Sequence, residues 1–380
     1  RGPLAEQRYV IGVYFADSEV NLYQMRQWYA PLREISHRWP VLILARNAAG
    51  AEALIRESGL DVKFVPKVQS LESVIQEQPL KLVLYVNQNT RNFQMLRYGQ
   101  RFHVFINHGE SDKMYMVTNQ IKAYDYALIA GKAARERLSA GVWNYDVAER
   151  TLEIGRPQTD HLDAHEKPFP EDDRIVVLYA PTWEGDRPAA SYGSVLSHGE
   201  VLTSEILNSP RHRLIYRPHP RTGLENALFG KAHERIVGAI EQANNRDPQA
   251  HHVYDVSPTI DWQLSQADVA VCDISAMVYD RLATGKPVIV TRPASQEALV
   301  DEHGYLSVCE WLTVDSAQLV LYKIDRLLND ADAKQEQALW STHYFGNTLP
   351  GEPSKRLNNA LNTLLERWEQ QASQRGADRH

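Results

Sequence analysis

The residues best suited to chemistry form a histidine motif at the end of a short apolar run. Leu214 to Tyr216 is typical of a strand, and it leads into Arg217, His219 and Arg221, which are separated by single prolines. Each proline disfavours helical backbone in the residue before it, so we expect His219 in extended backbone at the strand end. Two guanidinium groups and an imidazole there could bind a ligand phosphate. A surface loop with solvated charges explains the same residues equally well.

A second histidine follows the apolar run from Val104 to Ile106. Gly109 lets the backbone turn or approach a ligand, and His108 would stand exposed at the strand end, as a general base near neutral pH must. Glu110 and Asp112 are near enough in sequence to orient the imidazole or to adjust its charge. A histidine that is satisfied within a turn is the competing interpretation.

A third motif follows the predicted strand from Val269 to Cys272. Ser275 can cap the next helix, which leaves the first N–H groups of that helix and the positive end of its dipole open to a ligand. A helix start of this kind, with Asp273 before it, can bind phosphate without a glycine-rich loop. Ser275 could be only a cap and Asp280 only a surface acid, but capping and phosphate binding are compatible.

Three further features have a plain structural alternative. Thr182 could donate to a phosphate or to nearby backbone, and the adjacent Trp183 could cover a base or close the core. His251 and His252 lack a cluster of ligands at metal spacing, so we predict no metal site. The aromatic and basic segment from Tyr23 to Trp39 could lie on an anionic membrane, although an ordinary half-buried helix is favoured.

The elements that must position these residues alternate between apolar runs and helical patterns, which indicates parallel βαβ units. The stretch from Ala148 to Asp172 is rich in glycine, proline and acids, as is typical of an interdomain linker. We therefore predict an α/β protein with one doubly wound domain at 1–160, a second at 161–353, and a helix within 354–380 that could return to the first domain. The predicted strands are Tyr9–Phe15, Val41–Ala45, Val62–Val65, Leu82–Val86, His103–Ile106, Ile175–Tyr179, Leu214–Tyr216, His252–Tyr254, Val269–Cys272 and Val288–Val290.

Composition limits the class of protein. The 380 residues, 43% hydrophobic and 23% charged, are typical of a soluble globular chain with about two domains. A formal charge of −7 argues against broad nucleic-acid binding. Two cysteines, Cys272 and Cys309, are too few for a disulfide framework and favour a cytoplasmic location. We see no signal peptide and no apolar run of membrane-spanning length.

In this order, the motifs resemble those of the CDP-glycerol glycerophosphotransferase family, which contains teichoic-acid primases and polymerases with a GT-B fold. The resemblance runs from about Phe102 to Arg356. It rests on His108-Gly109, on Gly155-Arg-Pro157 with Asp160, on Ala180-Pro-Thr182, on Arg217-Pro-His219-Pro220, on Asp273-Ile-Ser275-Ala276 with Asp280, and on Phe345-Gly346 with Gly351 to Arg356. Gln158 stands where the family usually has arginine, and Ala276 where it usually has a second serine.

The resemblance implies two doubly wound Rossmann-like domains whose sheets face each other across a cleft, with 1–160 on the acceptor side and 161–353 binding the CDP-activated donor. It implies transfer of a polyol phosphate, with glycerol phosphate the first choice, from a CDP-activated donor to a glycan or lipid-linked acceptor. His108 and His219 would be catalytic, and the donor would be bound by Arg217, Arg221, Thr182, Asp273, Ser275 and Ala276. Gly109, Glu110, Asp112 and Asp280 would support them. No cofactor, no strict metal requirement and no nucleic acid are implied, whereas contact with the inner face of the membrane is compatible with it.

Two other classes of function stay open at this point. A sugar transferase or a nucleotide-sugar epimerase could use the same fold, because a fold does not determine a reaction. A non-catalytic nucleotide- or glycan-binding relative is the other alternative, which the substitution at Ala276 keeps open.

Overall fold

The structure is a computed structural model that describes residues 8–110, 118–162, 166–257, 259–300 and 303–377. Within these residues the chain divides into two compact units. The first unit takes residues up to Gly109, those from Thr118 to His161 and those from His343 onward, and the second takes Glu110 and Leu162 to Thr342. Asp112 lies outside the described residues.

A parallel sheet of seven strands organises the first unit, in the order β3-β2-β1-β4-β5-β6-β7. The order reverses between β1 and β4, which makes the unit doubly wound. Its elements are β1 Ile11–Phe15, α1 Leu22–Arg26, α2 Tyr29–Ser36, β2 Val41–Ala45, α3 Ala48–Glu57, β3 Asp61–Phe64, α4 Val68–Glu77, β4 Leu82–Tyr85, α5 Phe93–Leu96, β5 Phe102–Phe105, β6 Tyr126–Ile129, α6 Lys132–Gly141, α7 Val147–Arg150 and β7 Thr151–Glu153.

The second unit is built on a parallel sheet of six strands, in the order β10-β9-β8-β11-β12-β13. Here the order reverses between β8 and β11, so this unit is doubly wound as well. Its elements are β8 Ile175–Ala180, α8 Glu200–Leu207, β9 His212–Tyr216, α9 Ala227–Arg246, β10 Val253–Tyr254, α10 Trp262–Gln266, β11 Val269–Cys272, α11 Ala276–Ala283, β12 Val288–Thr291, β13 Glu310–Leu312, α12 Val320–Asn329 and α13 Ala331–Phe345.

A last helix, α14, spans Glu352–Ala377 and belongs to the first unit. Leu357, Leu361 and Leu364 of this helix are buried in the same hydrophobic cluster as alternate residues of β1, Ile11 and Val13. Tyr14 points to the opposite face and joins a separate cluster. Both faces of the sheet are therefore covered, as a parallel sheet requires.

The predicted α/β class is confirmed, and each predicted apolar run contains or overlaps a strand. Three strands were missed, namely β6, β7 and β13, and β7 lies inside the stretch interpreted as a linker. The chain returns to the first unit at His343, earlier than the sequence-based boundary at residue 354.

The segment from Tyr23 to Trp39 forms most of α1 and all of α2, with Trp28 and Tyr29 buried, Trp39 partly buried and Tyr23 exposed. Trp28 is 3% exposed and Tyr29 is 8% exposed, while Arg26 pairs with Glu57 at 2.8 Å. This agrees with the favoured interpretation of a half-buried helix. Among the described residues, no helix combines the length and the apolar character needed to cross a bilayer.

Candidate active site

In the first unit, His108 is directed by a tight turn after β5. Asn107 has a left-handed backbone with φ of 55°, and its side chain donates to the carbonyl of Gly109 at 2.6 Å. The indole N–H of Trp28 donates to the carbonyl of Asn107. These contacts leave the imidazole beside the end of β4, where Nδ1 lies 2.9 Å from the carbonyl oxygen of Val86.

The contact with Val86 decides which nitrogen of His108 can accept a proton. A carbonyl oxygen only accepts, so Nδ1 must carry the hydrogen, and Nε2 of the neutral ring keeps its lone pair. Burial lowers the pKa of His108, the bond to Val86 opposes this, and the positive charge of Arg156 lowers it further. The ring is therefore neutral near pH 7, as a general base has to be.

Several polar side chains lie near His108 at the same strand edge. Asn87, one residue beyond Val86, donates to the carboxylate of Asp17 at 2.7 Å and to Gln24 at 2.6 Å. The ring of Tyr23 meets the imidazole edge-on, with 5.9 Å between ring centroids. Hydroxyl-bearing ligands are bound by groups of this kind.

The structure gives less support for the predicted roles of Gly109 and Glu110, which follow His108. Glu110 is 9% exposed and is assigned to the second unit. A Cβ placed on Gly109 would meet only Arg156, at an ordinary 3.9 Å. Nothing in the described residues therefore requires glycine at position 109.

In the second unit, His219 has the opposite arrangement of its ring nitrogens. Nδ1 lies 3.1 Å from the backbone N–H of Arg221, which can only donate. Nδ1 must therefore hold the lone pair, and in the neutral ring Nε2 carries the hydrogen. Burial and the charge of Arg221 lower the pKa of His219, while the carboxylate of Glu184 raises it. His219 is thus a neutral donor, suited to a phosphate oxygen.

Trp183 and Arg221 form a stacked pair beside this imidazole. The guanidinium carbon of Arg221 lies 3.7 Å from the centroid of the Trp183 ring, and the centroids of Trp183 and His219 are 6.4 Å apart. The cation-π contact fixes the direction of a partly exposed guanidinium at the strand edge. Trp183 is in a position to support the charged group, a role that neither sequence alternative included.

Arg217, for which contact with a donor phosphate stays a prediction, already has partners within the protein. Its guanidinium is committed to Asp255 at 2.5 Å and to the carbonyl of Ser257 at 2.9 Å. Asp255 is 5% exposed and also accepts from Gln263 at 2.6 Å. Arg217 therefore ties the end of β9 to the end of β10, and its main effect is to position the histidine loop.

Asp273 also has a structural role in place of the predicted contact with the donor. It is 0% exposed, and its carboxylate accepts from the N–H groups of Thr182 at 2.8 Å and Ser194 at 3.0 Å and from the hydroxyl of Thr291 at 2.5 Å. Burial raises the pKa of Asp273 to about 6, against the effect of these donors. Asp273 thus holds Thr182 in place, and its fully buried carboxylate is not open to a ligand.

The helix start after β11 is formed as the sequence predicts. Ser275 is the N-cap of α11, and its hydroxyl accepts from the N–H of Met277 at 3.3 Å. Ala276 is exposed at the first helical position, which leaves this helix end accessible. Asp280 lies one turn further along α11 and is half-buried.

Glu184 is a site residue that sequence reasoning missed. Its carboxylate is 5% exposed and accepts from the N–H groups of Gly223, Glu225 and Asn226, each at 3.0 Å. Burial alone would raise the pKa of Glu184, but these amide donors outweigh it and lower the pKa. The carboxylate of Glu184 therefore lies at the N-terminal end of α9 and accepts from the backbone N–H groups there. Glu184 follows Trp183 directly, but no spacing rule connects it to residues 39 positions away.

Two of the sequence motifs meet within the first unit. Asp160 accepts from the N–H groups of Gly351 at 2.7 Å and Ser354 at 2.8 Å, which caps α14. Arg356 lies against Gly155 and Gly346, both with positive φ, and donates to the carbonyl of Asn347 at 2.6 Å. These residues secure the point where the chain re-enters the first unit.

No group of three or more His, Cys, Asp or Glu side chains in the described ranges could hold a metal ion. The absence of a strict metal requirement stays a prediction. The expectation that His108 and His219 face each other across a cleft also stays a prediction, because the two residues lie in different units.

The sequence pattern of the family described as CDP-Glycerol:Poly(glycerophosphate) glycerophosphotransferase matches residues 106–298, which is just over half of the chain. The matched range includes both histidine motifs. No curated protein sequence matches this chain.

Solved structures with the same fold include proteins of two activities. One from Listeria monocytogenes, assigned as a UDP-N-acetylglucosamine 2-epimerase, superposes with a TM-score of 0.60 at 14% identity over 95% of this chain and 98% of its own. The wall teichoic acid polymerase TagF gives a TM-score of 0.57 at 14% identity over 96% and 90%. MnaA from S. aureus, in a co-structure with UDP, gives 0.56 at 14% over 94% and 97%. At this identity the likeness establishes the GT-B type of fold alone.

Proposed function

The chain belongs to the CDP-glycerol:poly(glycerophosphate) glycerophosphotransferase family, and from this premise we propose that it transfers glycerol phosphate from CDP-glycerol to a hydroxyl group of a teichoic-acid-like or capsular chain. CMP is the other product. The observation that carries the proposal is the Nδ1 contact of His108 with Val86, because it leaves a neutral Nε2 available as a base.

The proposed reaction is an in-line displacement at phosphorus. Nε2 of His108 takes the proton of the acceptor hydroxyl, and the oxygen attacks the β-phosphorus of the donor. The new O–P bond forms as the bond from that phosphorus to the bridging oxygen breaks, and the electron pair leaves with CMP. The protein has to position the groups and to stabilise the negative charge that develops on the phosphates.

The second unit offers three groups for that charge. These are the Nε2–H of His219, the guanidinium of Arg221 stacked on Trp183, and the accessible start of α11 at Ser275 and Ala276. Thr182, held by Asp273, borders the same strand edge and is proposed to contact the donor. Arg217 acts through the loop that it fixes. We propose that these groups take the place of a metal ion.

A CMP-release assay with several donors tests the reaction. CDP-glycerol is compared with CDP-ribitol and UDP-N-acetylglucosamine, each with and without a short glycerophosphate acceptor. CMP release that needs both CDP-glycerol and acceptor supports the proposal, and undiminished release in EDTA supports the metal-free form. Conversion of UDP-N-acetylglucosamine without CMP release would favour the epimerase alternative. Binding of CDP without turnover of any donor would favour a non-catalytic relative.

We propose that the reaction takes place in the cytoplasm or at the inner face of the membrane. Cys272 and Cys309 are both free and buried, in keeping with a reducing compartment.

A further inference from the structure

Three basic side chains follow neighbouring strands at the carboxyl edge of the first sheet. Arg46 follows β2, Lys67 lies three residues beyond the end of β3, and Arg91 lies in the loop after β4. None of them belongs to a sequence motif discussed above. Lys67 and Arg91 are exposed and Arg46 is half-buried.

Hydrogen bonds bring the three residues into one region. The guanidinium of Arg46 donates to the carbonyl of Pro66, the residue before Lys67, at 3.3 Å. The hydroxyl of Tyr14 donates to the carbonyl of Arg91 at 3.2 Å. The backbone N–H of Arg46 donates to the carbonyl of Phe15, the residue after Tyr14, at 3.0 Å, so Arg46 also lies beside the strand that carries Tyr14.

The three charges are not neutralised by carboxylates. Among the described residues, Arg46, Lys67 and Arg91 make no ion pair, whereas nearby Lys63 pairs with Glu77 at 3.4 Å and Arg97 with Glu72 at 3.3 Å. In the described structure, Nη1 of Arg46 is also buried without a hydrogen-bond partner. A buried donor without a partner is unfavourable, and an incoming phosphate oxygen would supply the missing acceptor.

The surrounding backbone adds to the positive potential. Helix α3 begins at Ala48, directly after Arg46 and the N-cap Asn47, and α4 begins at Val68, directly after Lys67. The start of each helix carries a partial positive charge. Asp17 also lies at this edge, and its two carboxylate oxygens accept from the side chains of Asn21 and Asn87.

The same strand edge leads to His108. Val86 binds the imidazole, and Asn89, three residues later, accepts from the N–H of Arg91 at 2.8 Å. Neighbouring strands of the sheet follow the order β5, β4, β1, β2, β3. Along this edge, His108 follows β5, Arg91 follows β4, Arg46 follows β2 and Lys67 follows β3. Four strand spacings amount to about 19 Å, enough for several phosphodiester units.

From these observations we infer that Arg91, Arg46 and Lys67 form a binding track for the phosphodiester backbone of the acceptor, whose terminal hydroxyl reaches His108. The inference rests on the proposed function and specifies its acceptor as a linear polyanion. A single hydroxyl group would need none of these charges, whereas a chain with one phosphate per repeat would meet them in succession. Contacts with phosphates alone ignore the identity of the polyol.

The test compares a triple variant, Arg46→Gln with Lys67→Gln and Arg91→Gln, with the matched control Lys63→Gln with Arg97→Gln. The control removes cations that are already paired. Binding of a fluorescent oligo(glycerol phosphate) to the full chain is measured without donor at several salt concentrations. We expect the triple variant to bind at least about tenfold more weakly and to lose about two units of the salt slope, as for three lost phosphate contacts.

Kinetics supply a second readout. In the triple variant KM for the oligomer should rise by about tenfold, while kcat, and CMP release with a monomeric acceptor, stay within about twofold of the wild-type values. The control variant should match the wild type throughout. Equal binding, salt slope and KM in the triple variant and the wild type would overturn the inference.

Other outcomes separate the competing explanations. Binding of a neutral oligoglycerol as tight as that of the oligo(glycerol phosphate) would overturn the inference, because the track would then not depend on the phosphates. If the triple variant lost binding to phosphatidylglycerol vesicles but still bound the oligomer as the wild type does, the three basic residues would be a membrane-binding patch. That result would also overturn the inference. Specific oligomer binding with no CMP release from any donor would contradict the proposed function while supporting the track.

Discussion

At the scale of the residue, His108 and His219 are opposite tautomers, because Nδ1 of His108 faces a backbone carbonyl and Nδ1 of His219 faces a backbone N–H. Replacing His108 with Ala should lower kcat by about 10² to 10⁴, the usual loss of a positioned base, and should leave CDP binding intact. His219→Ala should weaken both turnover and CDP binding. The measurements are CMP release and calorimetric titration with CDP, and His37→Ala, at an exposed position in the first unit, is the control. Normal turnover of His108→Ala would remove the base from the mechanism.

The pH profile tests the same residue independently. Burial lowers the pKa of His108, so the neutral base persists below the usual value of about 6.5. We therefore expect the acidic limb of kcat/KM to fall below that pH. Arg156→Gln removes a charge that lowers this pKa, so the limb should move to higher pH.

Glu184 offers a prediction about the histidine loop. Glu184→Gln replaces an oxygen that faces backbone donors, and this should cost about 1–3 kcal/mol of unfolding free energy. Its charge raises the pKa of His219, so that pKa should fall in the variant. Histidine ring signals in NMR titrations report the shift, and Asp186→Asn, an exposed change nearby, should leave it unaltered.

At the scale of the element, the re-entry point of the chain depends on glycine. Gly155 has φ of +69°, and a Cβ there would lie 2.8 Å from the carbonyl oxygen of Phe345 as well as against Arg356. Gly155→Ala should therefore destabilise the protein by about 1–3 kcal/mol in urea unfolding. Gly238→Ala, inside α9 with nothing within 4 Å, should be neutral or stabilising by up to about 1 kcal/mol. Equal midpoints for the two variants would contradict this account.

The elements also explain what the sequence could and could not predict. Long apolar runs such as those of β1 and β8 identify buried parallel strands, because both faces of such a strand are covered. The strand β7 has three residues, too few to form a periodic pattern. The role of Arg217 depended on Asp255, 38 residues away, and the burial of Asp273 depended on Thr291 from another strand. The order of the strands in the sheet brings these residues together. A short stretch of sequence therefore cannot predict such contacts.

At the scale of the whole molecule, burial lowers the pKa of seven of the histidines that the structure describes, in the case of His252 to about 4. The others are His103, His108, His198, His212, His219 and His233. Below about pH 6.5 these histidines bind protons in the unfolded chain but stay neutral in the folded chain. The free energy of unfolding should therefore decrease as the pH falls from 6.5 to 5. Asp273 acts in the opposite direction, because its pKa is raised to about 6.

Urea unfolding at pH 7.5, 6.5, 5.5 and 5.0 checks this balance. The midpoint should decrease steadily below pH 6.5, and unfolding at pH 5.5 should take up protons from the buffer. A midpoint that stays constant or rises over this range would show that Asp273 outweighs the histidines. In that case Asp273→Asn should remove the rise.

The division of the chain has a consequence for synthesis on the ribosome. Helix α14 supplies Leu357, Leu361 and Leu364 to the core of the first unit, yet it is translated after the second unit. Residues 162–342 of the second unit have all been made before that helix emerges. Of the two units, the first should thus gain its full core later, although most of it is translated earlier, and a nascent chain arrested before residue 343 should protect the second unit from protease sooner than the first.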